Sequence, residues 1–196
     1  MRLHLIRHGQ TDWNAIRRIQ GQTDSSLNEL GRQQARQLAA ILDHYEFDQV
    51  YCSSSLRTRQ TAEQLFSHRQ LPVTYLDTLR EIDLGPWEGL LYAEIEQSDP
   101  NRFDHFFNAP HLFQLEGAEN YRQLQHRATT AIEEIRRKHS GEEIAVVSHG
   151  ALIKSLLNHL EGKPLAQLWD PPLMHNCSHT IIEFNQDGSS EILKTL

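Results

Sequence analysis

The chain has 196 residues, of which 38% are hydrophobic and 23% charged, with a formal net charge of -7. That size and composition suit one α/β domain with a modest extra segment, and the acidic balance argues against a nucleic-acid or membrane-surface partner. The two cysteines, Cys52 and Cys177, form no disulfide framework and fit reduced thiols in a cytoplasmic protein. The N-terminal apolar stretch, interrupted by His4 and Arg7, is too short for a signal peptide or a membrane span.

In chain order, Arg2 to Arg7 reads as a short buried strand and Trp13 to Ser26 as a polar loop. Asn28 is positioned to cap a helix running to about Tyr45, with Ala35, Leu38, Ala39 and Leu42 as its apolar stripe. Gln49 to Cys52 is a second strand, and Ser53, Ser54 and Ser55 offer hydroxyl caps for a helix to about Phe66. Val73 to Leu76 is a third strand. Thr78 to His111 reads as loop with one or two short helices, punctuated by Gly85, Pro86, Gly89, Pro100 and Pro110. A long helix is predicted from about Ala118 to His139, then a strand at Ile144 to Ser148 and a helix at Gly150 to Leu160. Ser178 to Phe184 and Glu191 to Leu196 are the last strands, joined by a turn at Asp187-Gly188. This alternation predicts a three-layer α/β/α sandwich around a mainly parallel sheet.

Three of these strands end alike: at Arg7-His8-Gly9, at Cys52-Ser53 with Arg57 one turn later, and at Ser148-His149-Gly150. Ligands of open α/β sheets bind beyond the carboxyl ends of the strands, so Arg7, His8, Arg57 and His149 can converge there. Two of the junctions open a helix, and free backbone N–H groups at helix starts favour anions. Two guanidiniums, two imidazoles and such N–H groups describe a phosphate pocket. Arg57 is preferred to Arg59, because two residues along a helix point to nearly opposite sides.

The motif Leu5-Ile6-Arg7-His8-Gly9-Gln10-Thr11 with Trp13-Asn14 resembles the opening of the histidine phosphatase superfamily, the phosphoglycerate mutase-like proteins. Arg18-Ile19-Gln20-Gly21, Ser53 to Ala62, Leu79-Arg80-Glu81 with Glu88-Gly89, Val147 to Gly150, and Asn176-Cys177-Ser178 extend the resemblance over nearly the whole chain. Ser55 departs from the leucine common there. The resemblance implies a single unit over residues 1–196 with a cap insert at about 85–117. It implies His8 as the nucleophile that becomes a phosphohistidine, with Arg7, Arg57 and His149 on the phosphoryl oxygens. Glu81 would be the proton donor, a role that needs a carboxyl partly neutral near pH 7; Asp83 and Glu88 share its loop as alternative acids. Asn14, Gln20, Gly21 and Gly150 fall where the family meets its substrate, although Asn14 and Gln20 could equally brace the loop. The implied partner is a small phosphorylated metabolite, and neither metal nor cofactor is required.

Two other site chemistries fit the sequence less well. Cys52 to Arg57 has the look of a cysteine-phosphatase loop, but that loop needs five intervening residues, and here there are four before Arg57 and six before Arg59. His175, Cys177 and His179 would share one face of a strand, with no further ligand pair to complete a metal site. Within the family, the segment Leu90 to Gly117 holds one cation, Arg102, and is aromatic, with Tyr92, Phe103, Phe106, Phe107 and Phe113. A cation-poor cap suits an apolar or ring-shaped leaving group, which favours a phosphatase such as an α-ribazole-phosphate phosphatase. The alternatives are a bisphosphoglycerate-dependent mutase and a non-catalytic binder of phosphorylated ligands.

Overall fold

The computed structural model describes residues 1–195; the last position of the strand expected at Glu191 to Leu196 lies outside them. Six strands, β1 (Arg2–Arg7), β2 (Gln49–Ser53), β3 (Val73–Leu76), β4 (Glu143–Ser148), β5 (His179–Phe184) and β6 (Ser190–Thr195), form one sheet in the order β3-β2-β4-β1-β5-β6. The pairs β2/β3, β2/β4 and β1/β4 are parallel, while β5 runs antiparallel to both β1 and β6. The sheet is thus mainly parallel, with an antiparallel margin made by the C-terminal hairpin.

Alternation along the strands divides the core in two. Ile6, Val50, Cys52, Ala145 and Val147 face α2 (Glu29–Leu42) and α3 (Leu56–Phe66). Leu3, Leu5, Tyr51, Ile144 and Val146 face α6 (Tyr121–Lys138), α7 (Gly150–Leu160) and the aromatic segment between β3 and α6. That segment carries α4 (Tyr92–Ser98) and α5 (Pro100–Asn108), and Trp87, Phe106, Phe113 and Tyr121 pack their rings together beside them. Asn28 caps α2 as its sequence suggests, accepting from the Gly31 N–H.

Three local expectations are corrected. The loop after β1 contains a short helix, α1 (Asp12–Ala15), closed by reciprocal bonds between Thr11 and Asn14; four residues carry no periodicity by which to read it. The long helix starts at Tyr121 rather than Ala118, because Asn120 accepts from the N–H groups of Arg122 and Gln123 and ends the loop there. The serine hydroxyls do not cap α3: Ser55 makes no capping bond, and the Asp24 carboxylate accepts the Leu56 N–H at 2.9 Å instead. No helix among the described residues is long and apolar enough to cross a membrane.

Candidate active site

The parallel register sets Arg7 beside Ser148 and Cys52 beside Val147, so β1, β2 and β4 end at one level. The next residues, His8, Ser53 and His149, therefore meet. The His8 and His149 ring centroids are 5.3 Å apart, and the Ser53 hydroxyl lies 2.7 Å from His149 Nε2. Both imidazoles are buried. Burial and the neighbouring arginines hold both well below the ordinary histidine value, so both are neutral at pH 7. In His8, Nδ1 lies 2.7 Å from the Gly9 carbonyl, which can only accept. Nδ1 therefore carries the proton, and the Nε2 lone pair is free.

Arg57 is buried, donating through Nη2 to the Gly21 carbonyl at 2.7 Å and through Nη1 to the Thr23 carbonyl at 2.9 Å. Burial lowers it to about 10, with Glu81 and Asp24 opposing the shift, so it stays charged. Arg7 donates to the Met174 carbonyl. Its Nε, the Nε of Arg57 and the Nδ1 of His149 are buried with no hydrogen-bond partner among the described residues. Unpaired buried donors are costly, and here three are contributed by residues lining or adjoining one cavity. That cavity holds about 500 Å³ and is lined by Arg7, His8, Arg57, Glu81 and Gly150 among others. Arg59, by contrast, lies outside it, over the ring of Tyr75 at 4.8 Å.

The acids of the loop after β3 separate by place. Glu81 lines the cavity. Asp83 accepts the Gly85 N–H, and Glu88 gathers the N–H groups of Gln22, Thr23 and Leu84. The Glu81 carboxylate also accepts from the N–H groups of Ala151 and Leu152 at 3.1 Å each, which lie in the first turn of α7. Of the helix-start N–H groups expected for the anion, those of Ala151 and Leu152 on α7 and of Leu56 on α3 are therefore taken by the protein's own carboxylates, Glu81 and Asp24. Two acids from distant loops fill places that local sequence leaves open.

Asn14 and Gln20 line the cavity, but both are also braces. Asn14 Oδ1 accepts from Thr11, and Gln20 Oε1 accepts the Thr11 hydroxyl at 2.9 Å and the Ser25 hydroxyl. Gly21, at φ +50, leaves no room for a side chain, since a Cβ would lie 2.1 Å from Glu88 Oε1. At Gly150 a Cβ would come within 3.2 Å of Arg7 Nε. Gly9 opens the backbone not to a ligand but to Gly31 at the start of α2, whose carbonyl would lie 2.5 Å from a Cβ.

Other expectations need amendment. Cys52 is buried, with its thiol pushed up to about 12 by burial, which does not suit a nucleophile. His175 and Cys177 are not on a strand: β5 begins at His179, Cys177 has a φ of +56, and His179 pairs with His4 at 2.8 Å. The shared face needed for a three-residue metal site does not form. The cation-poor character of the insert also does not extend to the cavity, because Arg17, Arg18 and Lys154 reach it from other segments. Arg17, Lys154 and Trp169 were not legible as site residues, since no motif marks them, and Arg18 stands in the Arg18-Gly21 motif without a role assigned to it. The residue that secures the Glu81 loop was missed as well. Arg127 on α6 donates to the carbonyls of Thr78, Arg80 and Glu81 and forms a paired bond with the Glu119 carboxylate.

A model of the histidine phosphatase superfamily (branch 1) matches residues 3–194. The chain belongs to that superfamily. It is a phosphatase of this family. Phosphoserine phosphatase 1 of Hydrogenobacter thermophilus is 31% identical over 186 residues, 95% of this chain and 88% of the relative. The solved structure of Bacillus stearothermophilus YhfR superposes with a TM-score of 0.95 at 42% identity, covering 98% of this chain and 95% of the other. The alpha-ribazole phosphatase from Shigella flexneri gives a TM-score of 0.88 at 29% identity, covering 98% and 94%.

Proposed function

We propose that this histidine phosphatase is a metal-independent phosphomonoesterase that works through a phosphohistidine on His8 and acts on a small phosphorylated metabolite. The observation that carries the proposal is the pairing of a free His8 Nε2 with three unpartnered buried N–H positions, on Arg7, Arg57 and His149. In the first step Nε2 attacks phosphorus and the ester P–O bond breaks. The leaving oxygen takes a proton from Glu81 in its acid form. In the second step water attacks phosphorus, gives its proton to Glu81, and the P–N bond breaks. His149 donates through Nδ1 if its Nε2 accepts the Ser53 hydroxyl, an arrangement the 2.7 Å contact permits. The two guanidiniums and this N–H meet the charge on the non-bridging oxygens.

The test is chemical trapping. Wild-type enzyme quenched during turnover should carry an acid-labile phosphoryl group, and His8→Ala should carry none and lose activity by at least about a thousandfold. Turnover surviving in His8→Ala but lost in Cys52→Ala would overturn the assignment, as would strict dependence on added metal. Phosphate binding without turnover in wild type would instead support a silent binding protein.

For the leaving group, Trp13, Tyr92, Phe106, Phe107 and Trp169 supply aromatic lining, which supports a substrate with a ring or apolar face. α-Ribazole 5'-phosphate is such a molecule. Arg17, Arg18 and Lys154 favour a second reading, a bisphosphoglycerate-dependent mutase, because they add cations to the same cavity. Hydrolysis rates on α-ribazole 5'-phosphate, phosphoserine and 3-phosphoglycerate, the last with and without bisphosphoglycerate, separate the two. Mutase turnover with negligible hydrolysis would displace the phosphatase proposal.

A further inference from the structure

Tyr92 opens α4 and lines the cavity beside Arg7, Glu81 and Arg17. Its backbone is fixed: the Tyr92 N–H donates to the Arg17 carbonyl at 2.9 Å, and Leu91 bridges Arg18. Its ring is fixed too, with the centroids of Phe107 and Phe103 at 5.5 and 6.1 Å. The hydroxyl is different. Tyr51 and Tyr121, the buried tyrosines, both have hydroxyl partners, in His139 and the Phe106 carbonyl. The Tyr92 side chain is half-buried at the cavity wall, and its hydroxyl has no partner among the described residues. Arg7, Glu81 and Arg17, which line the same cavity, are the charged groups that act on it. Burial raises its ionisation above the ordinary tyrosine value, so it is a neutral phenol able to donate.

We infer that Tyr92 is a specificity-determining residue whose hydroxyl donates a hydrogen bond to an oxygen carried by the substrate's leaving group. The inference rests on the phosphomonoesterase proposal and narrows its substrates to phosphate esters of polyols, sugars or hydroxy acids over esters of plain alcohols. A donor held against the rings of Phe103 and Phe107 discriminates well, because a leaving group lacking the oxygen leaves the phenol unpaired.

The comparison is between glycerol 3-phosphate and n-propyl phosphate, which share a three-carbon chain and differ in the two hydroxyls. Wild-type enzyme should prefer the glycerol ester by about tenfold in kcat/KM, the worth of one well-placed neutral hydrogen bond. Tyr92→Phe, which keeps the ring and its packing, should lose that preference by slowing the glycerol ester about tenfold more than the propyl ester. Its affinity for vanadate should fall far less than its rate on the glycerol ester. Equal losses on both esters would assign Tyr92 a structural role and overturn the inference, as would no loss on either. Wild type hydrolysing neither ester, nor any ester tried, would fell the phosphatase proposal and this inference with it.

Discussion

Ser53 bears on His149 more than its position in the chain suggests. By donating to Nε2 at 2.7 Å, the hydroxyl holds the ring proton on Nδ1 and lets it donate into the cavity, as the proposed mechanism requires. Ser53→Ala should lower kcat/KM by about tenfold, the loss expected when one orienting hydrogen bond is removed. In a His149→Ala background the same change should cost almost nothing, because its effect passes through that ring. Steady-state kinetics on the four variants of this cycle measure it. Independent, additive losses would show that Ser53 acts elsewhere. The chain makes His8, Arg7, Arg57, Glu81 and His149 readable because each follows a strand or falls in a recognisable motif. It shows Ser53 at a strand end and in a motif but hides its role, because 96 residues separate it from His149, and it hides Arg17 and Lys154, which no motif marks.

Among the elements, the strands and long helices were legible because their apolar spacing is forced by a two-sided core. The short segments that shape the cavity were not, because bonds to remote groups decide them. Arg127 illustrates this. Its position on α6 fits a solvated helix face, yet it holds three carbonyls of the loop that ends in Glu81, with Glu119 neutralising it. Arg127→Met should free that loop and depress kcat by about tenfold with little change in KM for phosphate esters, since positioning of the acid matters in the transition state. A change confined to KM would refute a positioning role. The start of α2 gives a stability counterpart. A Cβ at Gly31 would lie 2.0 Å from the Gln10 carbonyl, so Gly31→Ala should cost about 2–3 kcal/mol through backbone displacement, read from urea midpoints.

For the molecule as a whole, pH sensitivity follows from histidines sealed inside it. His4 lies under the sheet margin between Glu143 and His179, at 2.7 and 2.8 Å. Burial, with Arg2 adding to it, lowers His4 from 6.5 to about 4. The unfolded chain therefore takes up a proton below pH 6.5 that the folded chain refuses until about pH 4. Stability is complete above that window and declines as pH falls through it, by about 3 kcal/mol in total at 1.36 kcal/mol per unit. His8 and His149 act in the same direction. Glu143, pushed up by burial, acts oppositely, since the folded chain there retains a proton the unfolded chain has released. Denaturation midpoints measured between pH 4 and 7 should slope upward, and His4→Gln should flatten the slope. An unchanged slope in that variant would remove His4 from the account.

The occupied helix starts also govern how an anion is captured. With Glu81 taking two N–H groups of α7 and Asp24 one of α3, attraction falls to the cations that line the cavity, Arg7 and Arg57 with Arg17, Arg18 and Lys154, and a guanidinium stays charged throughout the physiological range. The incoming ester itself changes charge near pH 6, from one negative charge to two. Affinity for a non-hydrolysed phosphate ligand should therefore climb through that value and level off, following the titration of the guest rather than of its host.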